Sequence, residues 1–143
     1  MKEIIKLRPH HLLCIPRFYG GGYNKEFGKN LKRICFFIIK NPNITIKVSK
    51  ECDDICKKCP HKRDNICKKT PKLNYWILRQ DTKVLNKLKL EDNSTHKAKN
   101  IFNLSIDNIN SKDVKDICGG CVFLNNCIKV GINNSFKKDL DNN

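Results

Sequence analysis

Two stretches of this chain repeat one another, and the repeat restricts the possible folds more than any other feature. The first is Asp54-Ile55-Cys56-Lys57-Lys58-Cys59, followed by Asn65-Ile66-Cys67. The second is Asp116-Ile117-Cys118-Gly119-Gly120-Cys121, followed by Asn125-Asn126-Cys127. Both read D-I-C-x2-C, then a short loop, then N-x-C. Two residues between cysteines let a tight turn aim both sulfurs at one centre, while turn N–H groups stabilise thiolate charge. Gly119-Gly120 supplies the backbone freedom such a knuckle uses. Cys59-Pro60 matches the proline that often follows an iron–sulfur ligand in ferredoxin-like runs.

The chain holds 9 cysteines, and an odd count leaves one thiol over from any fully paired disulfide framework. Matched triplets point instead to bound metal, the usual meaning of many cysteines in a reducing compartment. Zinc would use Cys56, Cys59, Cys118 and Cys121 as one four-thiolate site and leave Cys67 and Cys127 spare. An iron–sulfur cluster also takes four thiolates, and the repeat offers three plus three. Soft sulfur ligation suits either metal, and the third cysteine beside each knuckle tips the balance toward iron–sulfur.

Cys14 is the natural extra ligand. On a helical turn His10 and His11 lie four and three residues before it, so both rings can share its face. Three readings stay open there: ligand or neighbour of a ligand, hydrogen-bonded histidines at a helix start, or an activated Cys–His nucleophile. Cys52 precedes Cys56 by one helical turn and is a spare candidate outside the repeat.

Around these cysteines the pattern is that of a small helix-rich domain. Glu3 to Leu7 reads as a short strand, and Pro9 opens a helical turn through Cys14 that Pro16 breaks. Gly20 to Tyr23 is loop. Asn24 can cap a helix whose stripe is Phe27, Leu31, Ile34, Cys35 and Ile38, which makes Cys35 a core thiol. Ile44, Ile46 and Val48 alternate as a half-buried strand. Residues 51–71, with four cysteines, two prolines and no hydrophobic period, read as metal-binding loop. Leu73 to Leu90 is helical, with Asp81 as a possible split. Ser94 caps a helix containing Ala98, Ile101 and Phe102, and Ser111 caps one carrying Val114, Ile117 and Cys118. The expected fold is a helix-rich α+β single domain over residues 1–134, with one or two short strands and two cysteine knuckles around a metal centre. Residues 135–143 are expected to fray.

With 29 Lys plus Arg against 14 Asp plus Glu, the formal charge is +15. Lysine outnumbers arginine 24 to 5 and is scattered along the chain, the composition of an AT-rich genome rather than a base-reading patch. Nucleic-acid binding is therefore expected to be weak and non-specific at most. The longest uncharged apolar run, Ile34 to Ile39, is too short to span a bilayer, so no membrane contact is expected. Arg8 and His10 interrupt the first residues before any signal-peptide core develops, which makes the expected location cytoplasmic.

The assembled motifs resemble a family of small bacterial and archaeal proteins, the domain of unknown function 1284. Its pieces here are Leu7-Arg8-Pro9-His10-His11-Leu12-Leu13-Cys14-Ile15 and Gly20-Gly21-Gly22-Tyr23-Asn24-Lys25-Glu26-Phe27. They continue with Asp53-Asp54-Ile55-Cys56-Lys57-Lys58-Cys59-Pro60 and the late Cys118, Cys121 and Cys127. The resemblance implies iron–sulfur binding without an activity. Its candidate ligands are Cys14, Cys56, Cys59, Cys67, Cys118, Cys121 and Cys127, while Cys35 and Cys52 are additions of this sequence. The leading expectation is an iron–sulfur protein in electron transfer or in redox or iron sensing, with a redox partner. Its rivals are a zinc-stabilised basic nucleic-acid module and a thiol enzyme using Cys14.

Overall fold

The strand expected from Ile44, Ile46 and Val48 forms over Thr45–Val48 (β2), with Ile46 and Val48 buried and Thr45 and Lys47 half-buried. Alternate side chains leave a strand on opposite faces, so one face enters the core. In the computed structural model, which describes residues 4–18, 25–51, 53–55, 62–63, 66–67, 73–119, 127–129 and 131–142, β2 is the middle of a three-stranded sheet. Ile4–Leu7 (β1) lies parallel to it, Ile5 opposite Ile46 and Leu7 opposite Val48. Thr95–Lys97 (β5) lies antiparallel on the other side, His96 opposite Ile46. The outer edge of β1 is covered. Lys6 N donates to Asp54 Oδ2 at 2.9 Å, Asp54 N returns to Lys6 O at 3.1 Å, and Arg8 N donates to Asp53 Oδ2 at 2.6 Å. Residues 53–54 thus satisfy an edge that would otherwise invite foreign strands.

After β1 the chain turns into His11–Cys14 (α1) and a 3-10 turn over Ile15–Arg17, where Pro16 ends regular helix. Lys25–Lys40 (α2) follows as the crossover that parallel strands require. Its buried residues include the whole expected stripe, Phe27, Leu31, Ile34, Cys35 and Ile38. The glycine loop and the Asn24 cap lie outside the described residues. Lys62–Arg63 (β3) and Ile66–Cys67 (β4) pair antiparallel as a small hairpin within the expected cysteine loop.

Leu73–Leu88 (α3) is one helix, not two. Asp81 is fully buried in mid-helix, and the expected split is absent because its carboxylate is saturated there: Arg8 Nε donates to Oδ2 at 2.9 Å, and His10 N and Nδ1 reach Oδ1 at 3.0 and 2.6 Å. Ala98–Asn108 (α4) begins directly from β5, and Ser94 does not cap it. Ala98 N and Lys99 N instead donate to Ile44 O and Pro42 O at 2.9 and 2.8 Å, so helix-start donors find backbone acceptors across the sheet. Ser111–Cys118 (α5) is capped one residue earlier than expected, by Asn110, whose side chain accepts from Asp113 N while Asp113 accepts from Asn110 N.

The expected frayed tail is a helix. Asn134–Asn142 (α6) buries Phe136 and Leu140, and Phe136 meets the Phe102 ring edge-on at 5.7 Å. Two apolar residues one turn apart are enough to dock it on α2 and α4. The fold is therefore helix-rich α+β, with more strand than expected. None of its described helices is long and apolar enough to cross a membrane.

Candidate metal centre

The short α1 helix and its 3-10 turn sit on α4. Ser105 Oγ donates to Leu12 O at 2.9 Å, and the Arg17 guanidinium bridges Leu13 O at 2.9 Å and Ile109 O at 3.2 Å. Asn133 N donates to Pro16 O at 2.7 Å and its side chain to Phe18 O at 3.1 Å, which draws the 127–133 segment to the same place. The capping box at Asn110 sets where α5 starts, and therefore where its last residue, Cys118, arrives.

These tethers bring together thiols that are far apart in sequence. Cys14, Cys118 and Cys127 all act electrostatically on the Arg17 guanidinium. Burial lowers the Arg17 pKa, and the three thiols oppose that shift. Cys118 is buried, while Cys14 and Cys127 are half-buried. Among the described residues Arg17 has no carboxylate partner, although only 6% of it is exposed. A guanidinium does not shed its proton, so this buried cation rests on the Leu13 and Ile109 carbonyls where a carboxylate would be usual.

The expected ligands divide accordingly. Cys14, Cys118 and Cys127 all act on Arg17, and Cys121, which falls between the last two in sequence, lies outside the described residues. So do Cys52, Cys56 and Cys59, and of Cys67 only the backbone is described. Among the described residues no three of His, Cys, Asp and Glu are already arranged as a metal cage. Cys35 is elsewhere, in the α2 core, where burial pushes its thiol up to about 12. His10 and His11 do not simply turn to Cys14: their Nδ1 atoms contact Asp81 and Asp53. Burial and the neighbouring His11 hold the His10 pKa below the ordinary imidazole value, against the pull of Asp81. Burial alone would raise Asp81, but His10 and Arg8 hold it below the usual carboxylate range.

Sequence reasoning passed over Arg17, although an arginine three residues after a candidate ligand on one short helix is a readable signal. It also took the lysines as scattered. On α2 the exposed residues Lys25, Lys29, Lys32, Arg33 and Lys40 form one stripe around exposed Phe36, with Lys32 Nζ 6.0 Å from the Phe36 ring. Glu26 is the one acid on that helix, and it too is exposed.

The fold defines a small α+β protein with a buried arginine under the electrostatic influence of three cysteines. The chain belongs to the family described as protein of unknown function (DUF1284), whose sequence model matches residues 22–127. Leu7 to Ile15, with Cys14, precede the matched span. Among curated proteins and among solved structures, none matches the chain.

Proposed function

We propose that this protein binds an iron–sulfur cluster through Cys14, Cys118, Cys121 and Cys127. One observation carries the reading: a buried guanidinium, bonded only to the Leu13 and Ile109 carbonyls and without a carboxylate among the described residues, feels three of these four thiols electrostatically. A buried cation without an anion is costly, and neutral thiols offset little of that cost. Metal-bound cysteines are thiolates, so a four-thiolate centre supplies the missing negative charge. Cys14 with the late triplet supplies the four sulfurs that one cluster needs. Cys56, Cys59 and Cys67 remain as candidates for a second centre, with Cys52 as a fourth sulfur. When bound, a cluster supplies one-electron redox chemistry, which fits electron transfer or redox or iron sensing. Arg17 holds positive charge beside the sulfurs, and the α1, α4 and α5 scaffold keeps them together.

Anaerobic purification with iron, sulfide and zinc measured on one sample tests the reading. Brown protein with matched iron and sulfide is expected, and Cys14→Ser should lower the iron content or alter the visible spectrum. Colourless protein carrying zinc, or full iron occupancy with an unaltered spectrum in Cys14→Ser, overturns it.

A further inference from the structure

The opposite end of α1 carries a second arrangement that the cysteine centre does not use. His10 and His11 stand side by side with ring centroids 4.2 Å apart and an interplanar angle of 52°. His10 Nδ1 is 2.6 Å from Asp81 Oδ1, and His11 Nδ1 meets Asp53 Oδ2. Neither carboxylate is free to turn away. Asp81 is fixed by Arg8 Nε and His10 N, and Asp53 by Arg8 N at 2.6 Å and Ile55 N at 2.9 Å. Ionised carboxylates only accept, so each Nδ1 carries a proton and donates it to its aspartate. In a neutral ring the lone pair is then on Nε2. Neither Nε2 takes part in a hydrogen bond among the described residues, and each side chain keeps 11% of its surface exposed.

We propose that His10 and His11 together bind one divalent transition-metal ion through their Nε2 atoms, at a site distinct from the cysteine centre. Metal-binding histidines characteristically donate their other ring N–H to a carboxylate, which fixes the tautomer and strengthens the donor nitrogen. Here both rings are prepared in that way. An ion about 2.0–2.1 Å from each nitrogen holds two neighbouring imidazoles with centroids roughly 4.5–5 Å apart, close to the 4.2 Å between these rings. Imidazole donors select zinc, cobalt, nickel or copper over magnesium or calcium. Two protein ligands leave coordination positions for water or a small substrate. The imidazole Nδ1 atoms of the two histidines face Asp81 and Asp53, whereas Cys14 is among the groups that act on Arg17. His96 shows the contrast, since its Nε2 is engaged by Ser94 Oγ at 2.8 Å.

The test adds one equivalent of cobalt(II) to untagged protein as isolated and records X-ray absorption at the cobalt edge, which sees only the added ion whether or not a cluster is present. The expected spectrum shows two imidazole ligands and no sulfur. Affinity should fall about 10–100-fold in Asp81→Asn, which disturbs the tautomer, and at least as far in His10→Gln and His11→Gln. His96→Gln should bind as the wild type does. Should the glutamine variants fail to fold, the wild-type spectrum decides alone. Cobalt bound by sulfur, no cobalt bound at tenfold excess, or an imidazole signal intact in folded His10→Gln and His11→Gln overturns the proposal.

Discussion

Arg8 and Arg17 flank the same short helix, both almost fully buried, yet their charges are met differently. Arg8 donates through Nε to the Asp81 carboxylate at 2.9 Å, within a network that also holds His10. Arg17 donates to the carbonyls of Leu13 and Ile109 and feels Cys14, Cys118 and Cys127 electrostatically. A carboxylate is ionised at neutral pH without help, so Arg8 has its anion in the bare polypeptide. Thiols are mostly protonated there and become anions when metal binds. The Arg8 end of the helix therefore belongs to the fold, while the Arg17 end is balanced only when its sulfurs are charged.

The largest expected effect tests the first half of that contrast. Asp81→Ala strips a buried guanidinium of its carboxylate and takes two hydrogen bonds from His10, which should cost about 3–5 kcal/mol in denaturant unfolding. A loss below about 1 kcal/mol would mean the network is not a structural anchor.

The second half is sharper because a sign should change. Arg17→Leu should destabilise the metal-loaded protein by about 1–4 kcal/mol, since it leaves thiolate charge uncompensated. In metal-free protein the same variant should be neutral or stabilising, because an apolar side chain replaces a poorly paired buried cation. Equal losses in both forms would erase the distinction between the two arginines.

Cys118 and Cys35 are nearly equally buried, at 6% and 7% exposure, so truncating either removes similar packing. Cys35→Ala should cost about 1 kcal/mol, and Cys118→Ala should cost more by the metal-linked folding energy that it loses. Matching melting temperatures for the two loaded variants would remove Cys118 from the ligand set. Cys35 also carries a pH signature. Its folded pKa is raised to about 12, so the unfolded chain releases this proton first, above about pH 8.5. Wild type should then lose up to about 1.4 kcal/mol per pH unit relative to Cys35→Ala as pH rises past that point. Parallel stability curves for the two proteins up to pH 10 would contradict a buried, neutral Cys35.

The smallest effect concerns cations that pair with no carboxylate among the described residues. The α2 stripe should bind single-stranded nucleic acid weakly, with little sequence preference and a steep loss between 50 and about 200 mM salt, followed by fluorescence anisotropy. Tight, selective binding at physiological salt would instead make α2 a recognition surface.

Much of the framework was readable before any coordinates. Apolar spacing located α2 and β2, because helix and strand periods reflect nearest-neighbour geometry that a sequence carries directly. Boundaries were read less well where distant backbone did a cap's work. Ser94 was the plausible cap for α4, but β5 occupies Thr95–Lys97, and the 42–44 segment satisfies the helix start. The tail looked too polar to fold, yet Phe136 and Leu140 sufficed once α2 and α4 were there to receive them.

By itself the sequence determined that cysteines come in two matched triplets, that Cys35 belongs to a helix core, and that Cys14 shares a helical turn with two histidines. Those are relations between residues a few positions apart, set by backbone geometry alone. Only the tertiary structure decided that Cys14, Cys118 and Cys127 all act on Arg17, while His10 and His11 turn to Asp81 and Asp53. Burial makes that choice. Below the surface each charge must find a partner, and the partner is whichever group the packing of β1, α3, α4 and α5 brings within reach, however far away it lies in the chain.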